Sequence, residues 1–142
     1  MDGKCYFCGM KPYLHKVKYY ECDPMGITHH SNYVRFMEEA RVDYLDQLGY
    51  GFEKMEAEGV VSPVLNISVK YAKPSKFQDE IAIDVRLEKA SALKYTFHYV
   101  MKIGEETICL AESTHCFMEN GRPVVAENRF PGLAEALVKV GL

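Results

Sequence analysis

YYECDPMGITHHSNYVRFMEEARVDYLDQLG, residues 19–49, is the stretch around which the rest of the chain is organised. Its second half reads as one amphipathic helix. Tyr33, Phe36, Met37, Ala40, Tyr44, Leu45 and Leu48 recur at the spacing of a single helical face, while Glu38, Glu39, Arg41, Asp43, Asp46 and Gln47 take the other side. Gly49 supplies the stop. Ser31-Asn32, both capping residue types, mark the start. The first half is a short polar loop carrying Asp23, Thr28, His29 and His30. A loop that feeds straight into a helix N-terminus meets unpaired backbone N–H groups and the positive end of the helix dipole. That setting favours an oxyanion.

Working outward, Pro12 to Glu21 alternates loosely and predicts a strand over about Tyr13–Glu21. Asp23-Pro24-Met25-Gly26 is a turn. After the helix, Tyr50–Glu58 predicts a shorter second helix ended by Gly59. The apolar period then changes to two. Val64–Tyr71, Glu80–Glu88, Leu93–Ile103 and Thr107–Met118 all alternate, with Pro74-Ser75, Gly104-Glu105 and Asn120-Gly121 as turns between or after them. Arg122–Ala126 adds a short extension, and Phe130-Pro131-Gly132 opens a terminal helix carrying Leu133, Ala136, Leu137 and Val140. Short connections predict an antiparallel meander for the four long strands. The sheet's apolar face needs a cover, and the long helix is the only element large enough. At about 1.5 Å per residue it spans roughly 25 Å, close to the width of a sheet. The expected fold is α+β: a curved antiparallel sheet of about five strands wrapped around one central helix. Long strands with exposed edges, and tyrosines and branched residues on the outer face, predict pairing between copies, a dimer at least.

The 142 residues fit a single domain over 12–142 behind an N-terminal tail, 1–11. Lys and Arg total 17 against 20 Asp and Glu, so composition implies no nucleic-acid partner. No apolar run is long enough to span a bilayer, and MDGKCYFCGMK lacks the apolar segment of a signal peptide. No membrane insertion is expected. Five scattered cysteines then predict reduced thiols in a cytoplasmic protein.

Asp23-Pro-Met-Gly26-Ile-Thr-His-His30-Ser-Asn32-Tyr33, followed by VRFMEEARVDYL, resembles the acyl-CoA thioesterases of the hotdog fold, 4-hydroxybenzoyl-CoA thioesterase type. Those carry a D-x-x-G-x-x-x-H-x-N-Y stretch ahead of a helix reading like RFFEEAR. VKYAKPSKFQDEI resembles the same family's second strand, its proline turn and the start of the next strand. The likeness runs from about Leu14 to Met118 and is specific in the first stretch, generic in the strands. Cys5 and Cys8 match nothing in it. The resemblance implies a catalytic carboxylate at Asp23 and, at His30, the backbone N–H that polarises the thioester carbonyl. Gly26, Asn32 and Tyr33 fall in the same motif on the substrate-binding side. It also implies an acyl group buried along the helix at a dimer interface, and dimers paired into tetramers.

Elementary chemistry accommodates that assignment. The leaving thiolate has a pKa of about 8.5, so it departs without much help from an acid. One carboxylate then suffices, as nucleophile or as general base; the residues leave both open. The developing oxyanion needs donors, and a helix N-terminus holds them already oriented. No metal or redox cofactor is called for, coenzyme A entering as part of the substrate, with an acyl-carrier protein as its alternative. Cations at the pocket mouth would come from Arg35, Lys70, Lys73 or Lys76. Other readings exist for the same residues. Cys22 could be a nucleophile or a small buried filler. Asp23, His29 and His30 could ligate a metal, though no fourth ligand is spaced nearby. Cys5-x-x-Cys8 is half a zinc knuckle or a redox pair. A non-catalytic acyl-binding module and a hotdog dehydratase using His30 with Asp23 are the rival functions.

Overall fold

The structure, a computed structural model, describes residues 10–138. β1 (Tyr13–Lys16) leads through a 3-10 turn, Tyr19–Glu21, and the polar loop into α1 (Asn32–Gln47). α2 (Phe52–Ala57) and β2 (Val60–Val61) follow, then the long strands β3 (Val64–Tyr71), β4 (Glu80–Lys89), β5 (Tyr95–Ile103) and β6 (Glu106–His115). β7 (Phe117–Glu119), β8 (Arg122–Val124), α3 (Ala126–Arg129), a 3-10 turn Pro131–Ala136 and β9 (Leu137–Val138) complete the described chain.

The main sheet wraps α1, as the hotdog resemblance implies. Tyr33, Phe36, Met37, Ala40, Tyr44 and Leu45 on the helix are buried, and so are the alternate residues Ile81, Ile83, Val85 and Leu87 of β4 and Tyr95, Phe97, Tyr99 and Met101 of β5. A 3.6-residue stripe has met a 2-residue stripe, and each supplies what the other needs to leave water.

Five expectations need correction. The first strand ends at Lys16, because Val17 turns its N–H to Asp79 and its carbonyl to Gln78 N–H; Tyr19 and Tyr20 then stand in solvent on the 3-10 turn. The four long strands are not one meander. The sheet order is β1-β4-β5-β6-β3, so only β4, β5 and β6 are sequential neighbours, and β3 pairs with β6 at the edge. Residues 72–79 carry the chain across the sheet end rather than folding back as a hairpin, since Ser75 and Asp79 bond the 17–28 segment instead. The Thr107–Met118 strand breaks at Cys116 into β6 and β7, and β7 joins β2 and β8 in a separate small sheet. The Asn120-Gly121 hairpin within it forms as expected, both residues at positive φ. The terminal helix is replaced by α3, the 3-10 turn and β9. Pro131 follows α3 after one residue, Phe130, and Leu137 pairs in parallel with Leu87 of β4. Met10 and Lys11, assigned to the tail, are docked: Met10 is buried, and Lys11 exchanges two hydrogen bonds with the Gln47 side chain of α1. Cys5, Cys8 and Val140 lie outside the described residues.

Arg41 is the other surprise. Expected on the polar side of α1, it is buried, its guanidinium 6.0 Å from the Phe97 ring centroid and bonded into a polar seam of the sheet. Its Nη1 donates to Tyr99 Oη (3.1 Å); that hydroxyl bonds Ser113 Oγ (2.7 Å), which bonds His115 Nε2 (2.8 Å). Burial first, and then the Arg41 charge, lowers the His115 pKa from 6.5 to about 4. The unfolded ring takes its proton at higher pH than the folded one, so stability falls as pH drops through this window. At about 1.4 kcal/mol per pH unit, His115 accounts for a loss of about 3 kcal/mol across it. Urea midpoints should therefore fall steeply between pH 6.5 and about 4 for the natural chain, and less steeply for His115→Gln.

Candidate active site

The polar loop closes on itself before the helix begins. Cys22 and Thr28 form an antiparallel bridge, Asp23 N–H donates to Ile27 O (2.9 Å), and Gly26 N–H donates to Asp23 O (2.8 Å). Gly26 has φ +81°, the left-handed conformation this turn requires. Asp23 Oδ1 accepts the Met25 N–H (2.9 Å), which fixes the carboxylate to its own turn. Its second oxygen has no donor among the described residues.

Asp23 is one of the residues that wall a cleft of about 270 Å³. Met25, Ile27, Thr28, His30 and Tyr33 line it on the loop and helix side; Tyr71, Ala72, Lys73 and Pro74 line it from the end of β3. The two sides are joined by one buried serine. Ser75 Oγ lies 2.6 Å from Thr28 Oγ1 and 2.9 Å from Tyr33 Oη, and Ser75 O accepts the Thr28 N–H (2.8 Å). Burial raises the Tyr33 and Tyr71 pKa values, so both phenols stay neutral hydrogen-bonding groups. Lys73 is the cation of the rim and pairs with Glu106.

The head of α1 departs from the expected capping. Ser31 occupies the cap position, but its backbone is already helical and its hydroxyl bonds His29 Nδ1 (2.9 Å) instead. Asn32 Nδ2 donates backwards, to Glu21 O (2.9 Å) and His29 O (3.3 Å). The His30 N–H has no acceptor among the described residues, while its carbonyl accepts Tyr71 Oη (3.1 Å). It stands at the entry to a 16-residue helix, where dipole and unpaired donor act together.

Of the five residues singled out in the sequence, Asp23, His30 and Tyr33 therefore share one cleft. Gly26 and Asn32 do not line it: Gly26 shapes the turn, and Asn32 ties the helix head to Glu21. Cys22 is turned the other way, its thiol 3.9 Å from Lys18 O. His29 and His30 stack with ring centroids 4.3 Å apart. Sequence reading missed Ser75 and Tyr71. Pro74-Ser75 registered as a turn, and nothing local announces that its serine reaches 42 residues back to Tyr33.

Residues 17–137 match the thioesterase-like superfamily. The chain belongs to that superfamily. This thioesterase-like chain is 36% identical over 112 residues (79% of it, 88% of the relative) to an Aquifex aeolicus protein named "Putative esterase". It is 33% identical over 119 residues (82% of it, 86% of the relative) to a Bacillus subtilis protein named "Putative acyl-CoA thioesterase YneP". The crystal structure of a DHNA-CoA thioesterase from Staphylococcus aureus superposes with a TM-score of 0.79 at 25% identity, covering 92% of this chain and 97% of that one.

Replacing Ser75 by alanine takes the Ser75 Oγ partner from the buried Tyr33 hydroxyl, while Thr28 Oγ1 keeps its bond to Ser75 O (3.2 Å). A loss of about 1–3 kcal/mol is expected. Thermal denaturation of Ser75→Ala against the natural chain measures it.

Proposed function

We propose that this chain hydrolyses acyl-CoA thioesters, with Asp23 as the catalytic carboxylate and the His30 N–H at the head of α1 as the oxyanion donor. The observation that carries the reading is that Asp23, with one carboxylate oxygen free, and His30, with a helix-entry N–H that has no acceptor among the described residues, line one cleft. Membership of the thioesterase-like superfamily and the acyl-CoA names of relatives support it. A thioester carbonyl set between the two would have its oxygen on the positive end of α1 and its carbon facing Asp23. Attack by Asp23, or by a water that Asp23 deprotonates, makes the tetrahedral oxyanion. Its collapse expels the coenzyme A thiolate, a good leaving group without protonation. The scheme uses no metal or redox group. Acyl-carrier-protein thioesters present the same reacting atoms and are the alternative donor.

The edge of β3 supports a reading in which a second copy pairs there. Val64, Leu65, Ile67 and Tyr71 are exposed there, between 39% and 49%, on a strand whose outer side has no neighbouring strand among the described residues. We place a homodimer contact on this edge, beside the cleft that Tyr71 and Lys73 line, with pairing of such dimers into tetramers as the next level. A cytoplasmic location suits the free thiols of Cys22, Cys109 and Cys116.

Thiol release from a panel of acyl-CoAs, followed with a chromogenic disulfide, tests the catalytic assignment. Asp23→Asn should lower kcat by about 10²–10⁴-fold. Unchanged release in that variant would remove Asp23 from the mechanism, and no release by the natural chain from any thioester would favour a binding module. Light scattering should give twice or four times the chain mass, and Ile67→Lys should reduce it to that of a single chain.

A further inference from the structure

Two segments that lie far apart in the sequence meet at the end of the sheet, outside the cleft. Val17 N–H donates to Asp79 O (2.9 Å) and Gln78 N–H donates to Val17 O (3.0 Å), so residues 17–19 run beside residues 76–79. Their junction carries aromatic rings that the core does not use. Tyr19 is 78% exposed and Phe77 46%. The two rings meet edge to face, with centroids 5.6 Å apart at 77°. A single exposed apolar side chain is ordinary on a protein surface. A touching pair makes an open corner, one ring offering a face and the other an edge, against which a flat heterocycle can lie.

The charge around this corner is one-sided. Residues 16–20 and 73–77, KVKYY and KPSKF, carry Lys16, Lys18, Lys73 and Lys76 and no acidic residue, in a chain where 20 acids outnumber 17 lysines and arginines. The acids nearby are committed elsewhere. Glu21 bonds His15 Nε2 (2.9 Å) and the Lys18 N–H (2.8 Å), and Asp79 Oδ2 accepts the Lys76 N–H (2.8 Å). Lys16 stands opposite Glu80 in the β1–β4 register, and Lys73 pairs with Glu106. Lys18 and Lys76, each next in sequence to one ring of the corner, are exposed and make no ion pair among the described residues.

The corner also lies where a long ligand leaving the cleft would arrive. Phe77 follows Pro74, which lines the cleft, by three residues, a reach of at most about 10 Å. β1, which leads into Tyr19, stands at the opposite end of the sheet order from β3, roughly 19 Å away at about 4.8 Å per strand. A second copy on the β3 edge leaves the corner open.

We propose that the Tyr19–Phe77 corner, with Lys18 and Lys76, seats the nucleotide end of coenzyme A. The adenine base stacks on the exposed rings and the phosphates meet the two ammonium groups, while the pantetheine arm passes Pro74 into the cleft. A carrier protein presents the same arm without a base, so this corner selects free coenzyme A as the thioester's carrier. The identity of the ligand rests on the acyl-CoA reading above; its binding requires no turnover.

Binding and hydrolysis test it separately. Calorimetric titration of the intact chain with 3′-phospho-ADP, which is coenzyme A without its arm, should show binding that weakens as salt is added. Tyr19→Ala and Phe77→Ala should each weaken it about tenfold. No binding by the natural chain, or undiminished binding in both variants, overturns the proposal whatever the chain does to thioesters. In hydrolysis, Tyr19→Ala with Phe77→Ala should raise KM for an acyl-CoA at least about tenfold with kcat held. The same acyl group on N-acetylcysteamine, which has no nucleotide, should be cleaved as by the natural chain. Equal losses on both thioesters would mean a disturbed cleft and overturn the assignment. Lys18→Glu with Lys76→Glu should raise the acyl-CoA KM most at low ionic strength, and an unmoved KM overturns the phosphate contacts. Full activity in Asp23→Asn would sink the catalytic assignment and leave the titration to decide the nucleotide seat.

Discussion

Burial of one helix face governs this molecule. The stripe from Tyr33 to Leu45 carries two tyrosines, a phenylalanine, a methionine and a leucine, and no other helix of the described residues is long enough to cover the sheet. The inward residues of β4 and β5 close over it, with Tyr44 edge-on to Phe97 at 6.0 Å between centroids. Fully burying such side chains is worth about 1.5–3 kcal/mol apiece, so the stripe as a whole outweighs any single polar contact in the structure. Once α1 is fixed there, its N-terminus can only emerge at one end of the sheet, and the reactive loop must form where it emerges.

The polar ties then convert this coarse placement into a fine one. Ser75 draws the 72–79 crossing against Thr28 and Tyr33. Glu21 gathers the turn, the loop and the helix head from the opposite side. Asp23 is held between these anchors, with one oxygen spent on Met25. A site on a loop gains precision only from such supports, because the loop has no ladder of its own beyond the Cys22–Thr28 bridge.

Much of this was legible in the sequence, for reasons that differ from residue to residue. Periodicity identified α1 and the long strands because burial selects apolar positions at fixed spacing. Asp23, His30 and Tyr33 could be paired with one another because the loop and the helix start are adjacent in the chain. Sheet order was not legible. Alternation in Val64–Tyr71 says that it is a strand and not which neighbour it takes, and the pairing of β3 with β6 depends on the path of residues 72–79. Arg41 was misplaced because a charged residue at the margin of an apolar stripe can face either way, and the hydroxyl that receives it, Tyr99, lies 58 residues on. The terminal helix failed because Leu133, Ala136 and Leu137 satisfy burial equally well in a 3-10 turn followed by a strand.

The two margins of the main sheet are not alike. Beyond β4 lie two short strands: β1 covers Glu80–Ile83, and β9 runs beside Leu87–Glu88. Each is too short to template a growing stack. β3, at the opposite margin, runs eight residues. A molecule with one receptive margin can join one like molecule through it and then has nothing left to offer in that direction. Growth into a ribbon or fibril, the standing hazard of exposed β-structure, would have only that one long margin among the described strands to start from.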